Sequence, residues 1–180
     1  MSAYARTEVM RHARILARLS LWTAVGVVLG GLERMLPQPV PWARLGIANL
    51  AAVLVLYGFG WRLALLVNVA RALTVALLFG TWATPVFLLS LGGAVVSIPA
   101  MAFVRGIGGK HVSVISVSAV GAFTHMLTQF VLASWLIARH GGLLVFAGPS
   151  LLVSIVSGVL IGLLAALLLV RLPRSLVYSP

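Results

Sequence analysis

The chain has 180 residues, 62% of them hydrophobic and 8% charged, with a mean hydropathy of +1.15. A soluble domain of this size carries about a quarter charged residues, so composition excludes a water-soluble fold and points to a polytopic, single-domain membrane protein. No cysteine is present, which removes disulfides, thiolate nucleophiles and thiolate metal sites.

Little water is available inside a bilayer to satisfy a backbone, so the spanning segments are expected to be helices. Strands of alternating polarity, the mark of a membrane β-barrel, do not occur. Residues 1–14 read as a basic cytoplasmic segment: "RTEVMRHARILARLS" is amphipathic and lacks a cleavage-site pattern. Six apolar segments follow, at 15–35, 45–59, 61–80, 85–104, 112–137 and 149–170. They define one transmembrane domain over 15–172, with a short cytoplasmic tail at 173–180. The second segment, with only ~15 apolar residues, is short for a span and is expected to tilt little or to be partly re-entrant. No internal repeat is evident.

The net charge of +11 is scattered over segment ends, a topology and anionic-lipid signal and not a nucleic-acid surface. One side of a six-span chain carries Arg6, Arg11, Arg14, Arg18, Arg62, Arg105, Lys110, Arg171 and Arg174, with Glu8. The other carries Arg34, Arg44 and Arg139, with Glu33. The excess of basic residues places both termini in the cytoplasm. Trp61, Trp82 and Trp135 fall near segment ends, where amphipathic rings favour the interface. Trp42 lies in the first outer connection, stiffened by Pro37, Pro39 and Pro41. The outer connections read either as a lid or as plain connectors.

Arg71 stands in the third segment, roughly 13 Å below its outer end at 1.5 Å per residue. A charge at that depth faces a bundle interior. Asn68 and Thr74, one turn either side, make a polar stripe with it. The only acids are Glu8 and Glu33. Arg71 therefore reads either as the partner of an anionic ligand, held by its guanidinium fork, or as a structural arginine bonded to helix carbonyls and Glu33. In the fifth segment His125 and Gln129 are spaced i, i+4, beside Thr124 and Thr128, and read as ligand contacts or as an interhelical hydrogen bond. No second histidine or acid stands at metal-ligand spacing. Gly26-xxx-Gly30 and Gly158-xxx-Gly162 suit close helix packing. Gly92 and Gly93, between Ser90 and Ser97, suit packing or a cavity wall. Ala13-xxx-Ala17 could dock a partner helix.

Absences also limit function. There is no P-loop, no paired carboxylate for acid–base chemistry or Mg²⁺-diphosphate binding, and no acid in the spans to relay protons or hold a coupling ion. A stand-alone ion-coupled pump is disfavoured.

The stretches "RLGIANLAAVLVLYGFG", "ARALTVALLFG", "LSLGGAVVS" and "GAFTHMLTQF" occur in this order. Together they resemble the Gx transporter family, also labelled heptaprenyl diphosphate synthase component I and grouped with the substrate-binding S components of energy-coupling factor (ECF) transporters. The resemblance covers roughly 19–170. It implies a six-helix, S-component-like bundle in the cell (inner) membrane with an outward-opening cavity. Possible partners are an ECF scaffold subunit and ATPases, docked through the first helix near Ala13 and Ala17. Prenyl diphosphate synthases need aspartate-rich motifs, and this chain has no aspartate, so it is not expected to be the catalyst.

The expectation is an all-α integral membrane protein, without cofactor or metal, that captures a small anionic ligand such as a vitamin, flavin or isoprenoid-related compound. The ligand contacts expected are Arg71, His125, Gln129, Asn49 and Asn68. Small residues Ala13, Ala17, Gly26, Gly30, Gly92 and Gly93 are expected in packing or partner contacts. The alternative is a non-catalytic accessory or assembly subunit of a membrane redox or isoprenoid complex. A facilitator acting alone is the third reading.

Overall fold

The computed structural model describes residues 3–35, 46–136 and 144–177, with no side-chain detail for 3–7, 110, 144–146, 174 and 177. The expectations for Pro37, Pro39, Pro41, Trp42, Arg44 and Arg139, and with them the question of a lid, lie outside the described residues.

The described residues form helices and turns with no strand among them. Helix α1 runs Ala3–Met35. The basic N-terminal stretch has no proline, and its Glu8 sits 3.8 Å from both Arg11 and His12, so nothing halts the helix where the apolar pattern starts. The boundary expected at residue 14 falls inside α1. At 1.5 Å per residue α1 is about 50 Å long, well beyond a hydrocarbon core.

Helix α2 (Asn49–Phe59) follows a turn in which Gly46 takes φ +73° and accepts from the Asn49 amide at 2.8 Å. Gly60, at φ +90°, ends α2 and lets α3 (Trp61–Leu78) begin at once. Helix α4 (Pro85–Gly108) opens with a Thr84 cap accepting from the Phe87 amide, and proline at the first position, where its missing N–H costs nothing. A 3₁₀ turn (Gly109–His111) leads to α5 (Val114–Leu136), then α6 (Leu144–Arg171) and, past Pro173, the short α7 (Arg174–Val177).

Among the described residues five helices are long and apolar enough to cross a membrane: α1, α3, α4, α5 and α6. The remaining expected span is α2, which at 11 residues covers only about 16 Å. Every residue from Leu50 to Leu56 is buried, so α2 is apolar all round because protein, not lipid, surrounds it. Helices α1, α3, α4, α5 and α6 adjoin one another in that order, and α2 touches both α1 and α6, closing a ring while packing inward on α3 and α4. Large apolar side chains such as Leu66, Phe103, Val131 and Leu160 cover the outside.

Two sets of contacts fix the ends. At one, Arg34 of α1 lies 4.9 Å over the Phe79 ring beyond α3. At the other, Trp22 Nε1 donates to the Leu176 carbonyl of α7 at 3.0 Å, and Arg105 of α4 donates to the Leu56 carbonyl while stacking 4.2 Å over Tyr57. Between α5 and α6 the backbones touch: a Cβ on Gly158 would lie 2.8 Å from Ala119 Cα, and one on Gly162 2.6 Å from Ile115 Cα. The packing expected of that glycine pair is what the helices display.

Candidate ligand-binding cavity

Because α2 starts only at Asn49, the described residues leave a space above its N-terminus, at the end where α1 and α3 finish. The resulting cavity has about 720 Å³ of atom-free space, its open mouth included. Its wall takes residues from α1 through α6. Glu33, 3% exposed at the end of α1, accepts from the Gly46 amide and so ties the start of α2 to α1. An acid at a helix N-terminus is electrostatically favoured.

Arg71 lines the cavity from α3. Its Nε donates to Asn68 Oδ1 at 3.1 Å, and Asn68 Nδ2 donates to the Ala94 carbonyl of α4 at 3.1 Å. Asn68 is 1% exposed and does not line the cavity. It stands behind Arg71 as a bracket, where the sequence reading has it contacting ligand. The arginine stem lies across α1: a Cβ on Gly26 would be 3.0 Å from Arg71 Cδ, and one on Gly30 3.7 Å from Nη1. Gly26 of this pair, read as a helix-packing motif, is the slot for the arginine stem, while Gly30 packs on Val75 of α3 and Ala48 before α2.

His125 and Gln129 of α5 also line the cavity, as does Asn49. The imidazole lies against Gly93, where a Cβ would come within 2.7 Å of the ring. Gly92, one residue away, faces Leu132 instead. Thr124 and Thr128 donate to carbonyls of their own helix, Val120 and Thr124. Thr74 likewise donates to the Ala70 carbonyl, and it lines a groove between α1 and α3 on the outside of the bundle. The expected stripe of Asn68, Arg71 and Thr74 is thus divided among three surroundings. Ala13 and Ala17 are exposed on α1, away from the cavity.

The structure places Ser90 in the lining and adds Glu33, Ser154 and Ser157 to it. The signal for the last two was present. Ser150, Ser154 and Ser157 are spaced i, i+4, i+7 in an otherwise apolar helix and are all buried. The site therefore offers a guanidinium, an imidazole, amides and hydroxyls able to hold and orient an anion, beside the Glu33 carboxylate, which is turned to the Gly46 amide. Among the described residues no three histidine, cysteine or acidic side chains cluster for a metal.

A family model described as heptaprenyl diphosphate synthase component I matches residues 22–168, which takes in every cavity residue and leaves out Ala13 and Ala17. No curated protein and no solved structure matches the chain. On that match, and with five helices fit to cross a membrane, the chain belongs to the heptaprenyl diphosphate synthase component I family and is a membrane-embedded helical member of it.

Proposed function

We propose that the protein is a substrate-binding membrane transport protein of the S-component type, capturing a small anionic ligand from the outer side of the cell membrane. The termini are cytoplasmic in this reading, since the end of the bundle away from the cavity carries the excess of basic residues. The observation that carries it is Arg71: a guanidinium in the membrane-spanning region, seated in a glycine slot, braced by Asn68 and turned to a cavity. Such a charge is costly in a bilayer and marks a functional site by default. Candidate ligands are a vitamin, a flavin nucleotide or an isoprenoid-related anion. His125, Gln129 and Asn49 orient it; Asn68 acts through Arg71.

The test is binding of pyrophosphate, as the simplest polyanionic probe, to the purified protein in detergent. Wild type binds, and Arg71→Ala loses about 10- to 100-fold in affinity, the worth of a charge-assisted hydrogen-bond pair. The thermal midpoint of each variant separates lost binding from lost fold. Equal binding by both proteins defeats the reading.

A second reading, an accessory subunit of an isoprenoid or redox complex, is favoured by the family's own description as one component of a synthase. Co-purification decides between them: ECF ATPases support the first, synthase or redox subunits the second.

A further inference from the structure

The Arg71 cavity is thinly walled on the side of α6. Below it a narrow second void runs between α2, α4, α5 and α6, past Val53, Met101 and Ile161, and shares Gly46, Asn49, Ala122 and Ser157 with the cavity. A third void, about 950 Å³ and open to the membrane side, follows α6 along Val156, Leu160 and Leu164 with Ile47 at its edge. It shares Ser157 with the cavity, and Ser157 and Ile161 with the second void. Ser157 stands in the wall of all three. Facing it is Gly46, where even a Cβ would remain 3.9 Å from Ser157 Oγ.

Among the described residues, Ser157 on one side and the Gly46–Ile47 turn on the other stand between the polar, arginine-bearing cavity and the apolar groove. The place is also the middle of α6. Ser157 lies 13 residues from Leu144 and 14 from Arg171, so about 20 Å from either end of α6. The groove wall is leucine, valine and isoleucine. Helix-docking faces in membranes carry small residues instead, so the wall suits a flexible chain better than a partner helix.

We infer that the seam between Gly46 and Ser157 is a lateral window and that the ligand is an amphiphile. Its anionic head lies against Arg71, and its apolar chain passes the window to lie along α6 from Val156 to Leu164. This inference rests on the anion-binding reading of the cavity and narrows it to a class of ligand: an anion carrying a hydrocarbon tail, drawn from or delivered to the bilayer itself.

The experiment compares inorganic phosphate with butyl, hexyl and octyl phosphate, binding to the full-length protein in phosphatidylcholine nanodiscs, with empty nanodiscs subtracted. Affinity rises about threefold per methylene, so octyl phosphate binds at least a hundredfold more tightly than phosphate. Leu160→Trp fills the groove from a position 61% exposed to lipid and removes most of that gain while phosphate binding stays as in wild type. Val156→Trp, 62% exposed, gives the same result should the first variant fold poorly. If phosphate and octyl phosphate bind equally and both are lost in Arg71→Ala, the window is wrong and the anion site stands. If the chain-length gain survives both groove variants, the tail lies elsewhere and the inference falls. If no probe responds to Arg71→Ala, the anion site falls and the inference with it.

Discussion

Gly26-xxx-Gly30 and Gly158-xxx-Gly162 are the same motif in two halves of one bundle, and they hold different things. The α6 pair meets backbone, with Ala119 and Ile115 Cα atoms where a Cβ would go. The α1 pair meets side chains: the stem of Arg71 at Gly26, and Val75 and Ala48 with the Arg71 head beyond them at Gly30. One spacing of small residues thus closes a helix pair and the other admits a charged side chain. The motif states that something comes close to the helix axis; only the packing says what. The difference matters because backbone cannot yield and an arginine stem can.

The comparison breaks most sharply at Gly162→Val. Its Cβ would lie 2.6 Å from Ile115 Cα and 3.0 Å from Ser118 Cβ, so α5 and α6 must part. The expected loss is roughly 3 kcal/mol or more, the upper range for overpacking, read as a lowered unfolding midpoint in a denaturant titration in detergent. Gly93→Ala lies between the extremes, since the His125 ring within 2.7 Å is rigid yet can rotate away. A destabilisation of about 1–2 kcal/mol is expected, with weakened pyrophosphate binding as the imidazole leaves its place. Gly26→Ala is the mildest. Arg71 Cδ at 3.0 Å shifts by a few tenths of an ångström, and stability changes by less than about 1 kcal/mol. Pyrophosphate affinity nevertheless falls several-fold, because the guanidinium moves. A Gly26→Ala variant as unstable as Gly162→Val would erase the distinction between the two pairs.

Much of the architecture is legible in the apolar runs, since a bilayer demands helices wherever the chain is apolar. Two features lie outside what hydropathy reports. The basic N-terminal stretch is helical without being apolar, so α1 extends ahead of the apolar segment. The second segment reads as a short span that tilts little or is partly re-entrant, because apolar runs signal burial without saying in what; its "LAAVLVL" is buried in protein. At the site, Arg71, His125, Gln129 and Asn49 stood out as polar residues in apolar segments, and all line one cavity. Asn68 and Thr74 do not. At 100° per residue, steps of three rotate the helix face by 60° each, so Asn68, Arg71 and Thr74 fan over 120°. That is wide enough for one to meet α4, one the cavity and one the outer groove. Ser154 and Ser157 give only a weak signal in the sequence because a serine in a membrane helix bonds its own backbone readily, as Ser154 does to the Leu151 carbonyl.

Helix α2 is pinned at both ends by charged side chains from other helices. Glu33 holds the Gly46 amide that leads into it, and Arg105 holds the Leu56 carbonyl near its end. Each sign suits the end of the helix dipole it meets. A rod clamped this way cannot slide, so its length acts as a ruler for how far the floor of the cavity lies from the mouth. One added turn would raise that floor by about 5.4 Å. Residues inserted into or deleted from α2 would then change the depth of the cavity with none of its polar contacts altered.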